Sequence, residues 1–176
     1  MTSIDLVGSL IIGGLVLLLI LSFTFYFMNA SRSAVIAEAQ KTTAAELGRV
    51  IEHDFSKMGY RVTTGQKISS LSDNSITFRA DLNNDSSVDS IRYFVQGSGN
   101  SKKLVRHVND GSVKKYSLDI RDFSVAAFDS IGNSTTNPQN VNQLQVQMRF
   151  SKEFQYTDRV DSLGAYWIRR FVPKNL

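Results

Sequence analysis

Met1-Thr2-Ser3-Ile4-Asp5-Leu6 opens the chain, and Leu6–Ser31, LVGSLIIGGLVLLLILSFTFYFMNAS, follows without one charged residue. The first cation is Arg32, and from Arg32 to Met58 the composition turns to Ala, Glu, Gln, Leu and Lys, all good helix formers. One helix over residues 1–58 would be about 85 Å long at the helical rise. Its first half suits lipid and its second half suits a protein core. About 20 apolar residues cross a bilayer as a helix, because lipid offers no partner to an unpaired backbone group. A cleavable secretory signal starts basic, has a shorter apolar core and ends at a small-residue cleavage site. Here the segment before the apolar run carries Asp5 instead, so the reading is a retained membrane helix. Arg32 on the far side, read naively, would place the remainder of the chain in the cytoplasm.

In the second half, Ala44, Leu47, Ile51, Phe55 and Met58 recur at three- and four-residue spacing and predict one apolar stripe that lies on a sheet. Lys41, Glu46, Arg49, Glu52 and His53 fall on the opposite face. Gly59 reads as the helix stop. Beyond Tyr60 the period changes to two. Strands are expected at Ile76–Ala80, Ser90–Val95, Lys103–Val108, Val113–Leu118, Phe123–Phe128, Gln143–Phe150 and Tyr166–Val172. Gly97-Ser98-Gly99-Asn100, Asn109-Asp110-Gly111 and the long stretch Ser130–Asn142 separate them, and within the last the small polar run Gly132–Pro138 reads as a mobile surface loop. The fold class is therefore α+β, a long N-terminal helix packed on an antiparallel sheet. The expected organisation is a membrane half at 1–30, an amphipathic half at 31–58 and a β-domain at 59–176.

Composition narrows the function. Roughly 145 residues remain outside the spanning half, enough for one domain with its own core. There is no cysteine, so thiol chemistry and disulfides are excluded, and a net charge of +4 does not by itself argue for nucleic acid. His53 and His107 lie far apart, and no phosphate-cradling glycine loop or zinc motif occurs, so no catalytic residue is assigned. Lys102, Lys103, Arg106, Lys114 and Lys115 fall on adjacent strands and read as a solvated face, the alternative being contact with DNA or another anionic surface. Asn133-Ser134-Thr135 fits a glycosylation sequon, a pattern common by chance.

Two charged features ask for more. Asp5 at the edge of an apolar helix is either a cap that suits the helix dipole or a functional carboxylate. Asp81, Asn83, Asp85, Ser87 and Asp89 place oxygens at alternate positions, as in the first part of an EF-hand loop that binds Ca²⁺. Against this, Ser86 stands where that loop has glycine, Arg92 stands where it has its closing glutamate, and the flanks are strands. A plain Asn/Asp turn is the alternative.

The opening hexapeptide resembles the mature N-terminus of type IV pilins and type II secretion pseudopilins, typically Phe-Thr-Leu-Ile-Glu-Leu. Thr2, Ile4 and Leu6 match, and Asp5 supplies the carboxylate one methylene shorter. Gly13 and Gly14 fall where those helices have a weakening glycine, and Ser22 stands where many have proline. Ile51-Glu52-His53-Asp54-Phe55-Ser56-Lys57-Met58-Gly59-Tyr60 resembles the helix-ending phrase I-x-x-D-x-x-x-A-G-Y of larger minor pilins and J-type pseudopilins. The acidic hairpin Asp81–Asp89, then Leu104-Val105-Arg106, Phe123-Ser124-Val125 and Pro173-Lys174-Asn175-Leu176 continue the likeness in order. The resemblance implies a pilin-like fold and a filament subunit. Asp5 would pair with the α-amino group, at Met1, of a neighbouring copy or related subunit, which makes a charge tolerable in an apolar core. Gly13 and Gly14 would supply helix flexibility. The family's leader peptide does not precede Met1, so Met1 is either the residue left by cleavage or a true start. A removed leader would have carried the cytoplasmic positive charge, which sets Arg32 aside as a topology signal. The implied partners are other pilin subunits, inner-membrane assembly machinery and, before assembly, the membrane itself.

Overall fold

The computed structural model describes residues 3–99, 102–109, 113–156 and 159–176, with backbone alone at 4, 113–119, 151–156 and 159–163. Helix α1 spans Ser3–Ser56. Neither of the chain's two prolines falls before residue 138, so nothing in this stretch removes a helical N–H. By internal packing the chain forms two units, Met1–Ala39 and Gln40–Leu176.

In the second unit the expected stripe is buried: Ala44, Leu47, Ile51, Phe55 and Met58 all belong to the core. The four larger side chains, at roughly 2 kcal/mol each, contribute on the order of 8 kcal/mol as an upper estimate. Regular helix stops at Ser56, two residues before the end expected from the stripe, and Lys57–Tyr60 form turns. Gly59 takes φ +78° and donates its N–H to the Arg79 carbonyl at 2.9 Å. A Cβ there would lie 2.5 Å from the Asn175 carbonyl oxygen, so the stop must be glycine for two independent reasons.

Seven antiparallel strands follow in sequence order: β1 (Ile68–Ser72), β2 (Ser75–Ala80), β3 (Asp89–Gln96), β4 (Lys103–Val108), β5 (Val113–Phe128), β6 (Gln143–Tyr156) and β7 (Arg159–Phe171). β5 is shared between two ladders. Its first part pairs with β4, and from Ile120 onward it pairs with β6. Along β6, Leu144, Val146, Met148 and Phe150 are fully buried, whereas Gln145 and Gln147 are half-buried and Arg149 is exposed, the alternation expected of a strand with one core face. Phe55 from the helix meets Phe78, Tyr93 and Phe171 at ring-centroid distances of 5.3, 5.8 and 5.2 Å and so links both ladders.

Three features depart from the sequence reading. β1 was not expected. The segments 113–118 and 123–128 are one strand, continuous through a register shift between Ile120 and Asp122. The 130–142 stretch is a hydrogen-bonded structure and not an open loop. Asp129 Oδ1 accepts from the amides of Ile131 and Asn133 at 3.0 and 2.8 Å, and Phe128 bridges to Ser134. A short 3₁₀ turn, Pro138–Asn140, is capped by Asn137. Part of the expected turns, Asn100 and Asp110-Gly111, lies outside the described residues.

Candidate functional site

The apolar half of α1 is exposed around its whole circumference. Leu17, Leu18, Leu19, Ile20 and Leu21 are consecutive, cover more than a full turn, and are all exposed. No side of such a helix favours water. Among the described residues it is the one helix long and apolar enough to cross a membrane. Two of its hydroxyls are bonded within the helix. Ser9 Oγ donates to the Asp5 and Leu6 carbonyls at 3.0 Å each, and Thr24 Oγ1 donates to the Ile20 carbonyl at 2.8 Å.

Asp5 is exposed in the first turn of α1, where a carboxylate suits the helix dipole. Met1, its expected counterpart in assembly, lies outside the described residues. Gly13 and Gly14 stand within α1, and a Cβ at either would touch nothing within 4 Å. Packing within the chain therefore does not require glycine at these positions.

At the other end of the helix the structure assembles a cluster that the sequence reading left in separate pieces. Asp54 has a side chain only 2% exposed. Arg106 Nε donates to its Oδ2 at 2.6 Å and Arg106 Nη2 to its Oδ1 at 3.3 Å. The Tyr93 hydroxyl donates to Oδ2 at 2.5 Å, and His53 Nδ1 lies 3.3 Å from Oδ1. Tyr93 and Arg106 are direct register partners on β3 and β4, so the sheet presents both groups side by side to the helix. Burial works against the guanidinium, but the Asp54 carboxylate outweighs it and raises the Arg106 pKa. The helix-ending phrase and the Leu104-Val105-Arg106 phrase thus meet as one buried ion pair. This corrects the solvated-face reading for Arg106, whose guanidinium is bound to a buried carboxylate. The signal for Asp54 was available: it sits three residues after Ile51 and four before Met58, on the apolar stripe itself, where a carboxylate demands a cation. The backbone pairing places Lys114 opposite Arg106 and Lys115 opposite Val105, as expected for adjacent strands.

The acidic loop joins β2 to β3. Its side chains are committed locally. Asp85 Oδ1 accepts from the Ser87 amide at 2.7 Å, Asp85 Oδ2 from Asn83 Nδ2 at 2.8 Å, and Asn83 Oδ1 from the Asp85 amide at 3.1 Å. Asp81 is fully buried and bonded to Arg61. Burial opposes its charge, yet the Arg61 guanidinium and the amides of Ser86 and Asn84 hold it below the ordinary carboxylate range. Asp89 is the first residue of β3, paired with Ala80. Among the described residues no group of three or more His, Cys, Asp or Glu side chains is arranged to hold a metal ion.

Comparison with protein-family models, with curated proteins and with solved structures gave no match.

Proposed function

We propose that this chain is a structural subunit of a type IV pilus-like or type II secretion pseudopilus filament. In that assembly the apolar halves of α1 bundle as the core and the β-domains face outward. The observation that carries the reading is an apolar helix exposed on every side, with a lone carboxylate at residue 5, that continues into an amphipathic half on an antiparallel sheet. Before assembly the helix holds the subunit in the inner membrane, where the assembly machinery meets it. In the filament the same surface packs on neighbouring helices, and each Asp5 pairs with the N-terminal amine of a neighbour. Gly13 and Gly14 support this, because glycines with no packing role inside the chain allow close approach by a second helix.

The test is incorporation. Shear-released filaments and membranes are collected from cells that express the wild type or Asp5→Ala, and the chain in each fraction is measured by immunoblot and intact mass. Wild-type protein in the filament fraction, with Asp5→Ala retained in the membrane, is the expected result. Protein confined to the membrane in both strains would overturn the proposal and leave a single-pass anchored binding domain that does not polymerise.

A further inference from the structure

The β2–β3 loop has the oxygen spacing of a calcium site, yet cations of the same chain already stand in it. Arg61 Nη1 donates to Asp81 Oδ2 at 2.8 Å and to Ser86 Oγ at 3.2 Å. Lys57 Nζ donates to the Leu82 carbonyl at 2.6 Å and to Asn84 Oδ1 at 3.3 Å. Oxygens at the first, second, fourth and sixth positions of the loop are therefore engaged by a guanidinium and an ammonium. The backbone is bent to suit. Arg61, Asn84 and Ser86 have φ of +58°, +62° and +72°, and they are the three non-glycine residues in this region of conformational space among those described. All three belong to this one clamp, and such outliers persist only where the surroundings over-determine them. The Asp81 amide bonded to the Tyr60 carbonyl at 3.1 Å, and Arg61 lying over the Tyr60 ring, fasten the helix end to the loop.

We infer that Arg61, assisted by Lys57, is the resident cation of this loop: it neutralises Asp81, the first oxygen of the calcium-like spacing, while Asn83, Asp85 and the Ser87 amide bond among themselves. Residues 81–89 then keep their conformation without calcium. The Asp81 carboxylate has one oxygen, Oδ1, that is buried with no hydrogen-bond partner. With the guanidinium removed, Oδ1 has no partner and Oδ2 keeps the Ser86 amide at 3.1 Å, so the carboxylate is free to take a metal ion in place of Arg61.

Thermal unfolding of the full chain in detergent, with and without millimolar calcium chloride, tests this. Arg61→Gly is the informative variant, since glycine accepts the left-handed backbone and the substitution isolates the loss of the cation. Wild-type Tm is expected to be the same with and without calcium. Arg61→Gly should have a lower Tm that calcium raises by several degrees, and Arg61→Gly/Asp81→Asn should not respond to calcium. A wild-type Tm that rises with calcium, with the rise lost in Asp81→Asn, would show a true calcium site and overturn the inference. So would an Arg61→Gly chain with unchanged Tm, or one destabilised without any calcium response. If Arg61→Gly does not fold, the wild-type and Asp81→Asn titrations decide the question.

Discussion

Replacing Arg106 with methionine removes a charge and keeps most of the side-chain stem that packs beside Tyr93. What is left behind is the Asp54 carboxylate, with 2% of its side chain exposed and, among the described residues, the Tyr93 hydroxyl and the His53 ring as its side-chain partners. Breaking a buried pair by deleting one partner costs about 3–5 kcal/mol, chiefly for the stranded charge. For a domain of this size that lowers Tm by about 10–15 °C. Removing both charges, in Asp54→Leu/Arg106→Met, strands no charge and takes from the Tyr93 hydroxyl only its Asp54 acceptor, so most of the loss should be recovered. Trp167 is the chain's one tryptophan and lies against Gly48, where a Cβ would be 2.7 Å from its Nε1, so its fluorescence reports on this helix–sheet contact. The assay is thermal unfolding of the full chain in detergent followed at Trp167. A drop under about 3 °C for Arg106→Met would place the pair among exposed ion pairs, worth about 1 kcal/mol or less, and refute the burial argument. A double variant as unstable as the single one would refute it equally.

Other expectations follow from separate parts of the molecule. Leu17→Arg places a charge mid-way along the apolar half, at a cost of about 3 kcal/mol for insertion at a helix centre; carbonate extraction should release much of the variant from membranes, and full retention would count against a spanning role. Gly59→Ala forces an alanine to φ +78° and sets its Cβ against the Asn175 carbonyl. It should cost about 2 kcal/mol or more, and urea unfolding that finds a loss under half of that would contradict the geometry. Asp129 has a pKa below its ordinary value of 3.8, because the Asn133 amide, followed by that of Ile131, outweighs burial. A depressed carboxylate stabilises the fold fully above the unfolded value, and this is lost as pH falls through the lower folded value. The protection that Asp129 gives the Ile131 and Asn133 amides should therefore be lost only below pH 3.8, and a carboxyl NMR titration of Asp129 centred at or above that value would be the contrary result.

The parts that were legible in the sequence are those with a local period. The stripe from Ala44 to Met58 and the alternation from Leu144 to Phe150 are set by which side of a helix or strand meets water, and both appear in the core as read. β1 escaped because Ile68-Ser69-Ser70-Leu71-Ser72 is short and serine-rich, and only Ile68 in it is fully buried. Its place is fixed by pairing with β2, which no local pattern announces. The reading of β5 as two pieces leaves out residues 119–122, whose charges break the apolar alternation; in the structure they mark a shift of register within one strand. Asp54 and Arg106 are 52 residues apart, and a contact at that distance leaves no period to read. The rule that a charge on an apolar stripe needs a partner identifies the need, but the sheet register chooses the partner.

The strand order has a consequence for how the domain comes together. Every strand pairs with its neighbour in sequence, so the ladder can grow hairpin by hairpin, with the 129–142 segment the longest connection between strands to close. The helix is gripped on a different schedule. Tyr93 and Arg106 can seize Asp54 once four strands exist, whereas Phe171 reaches Phe55, and Asn175 reaches Gly59, only after the last strand is in place. A chain emerging from its N-terminal end would thus hold its helix first through Phe78 and Tyr93 against Phe55, then by the Asp54–Arg106 pair, and last by Phe171 and Asn175.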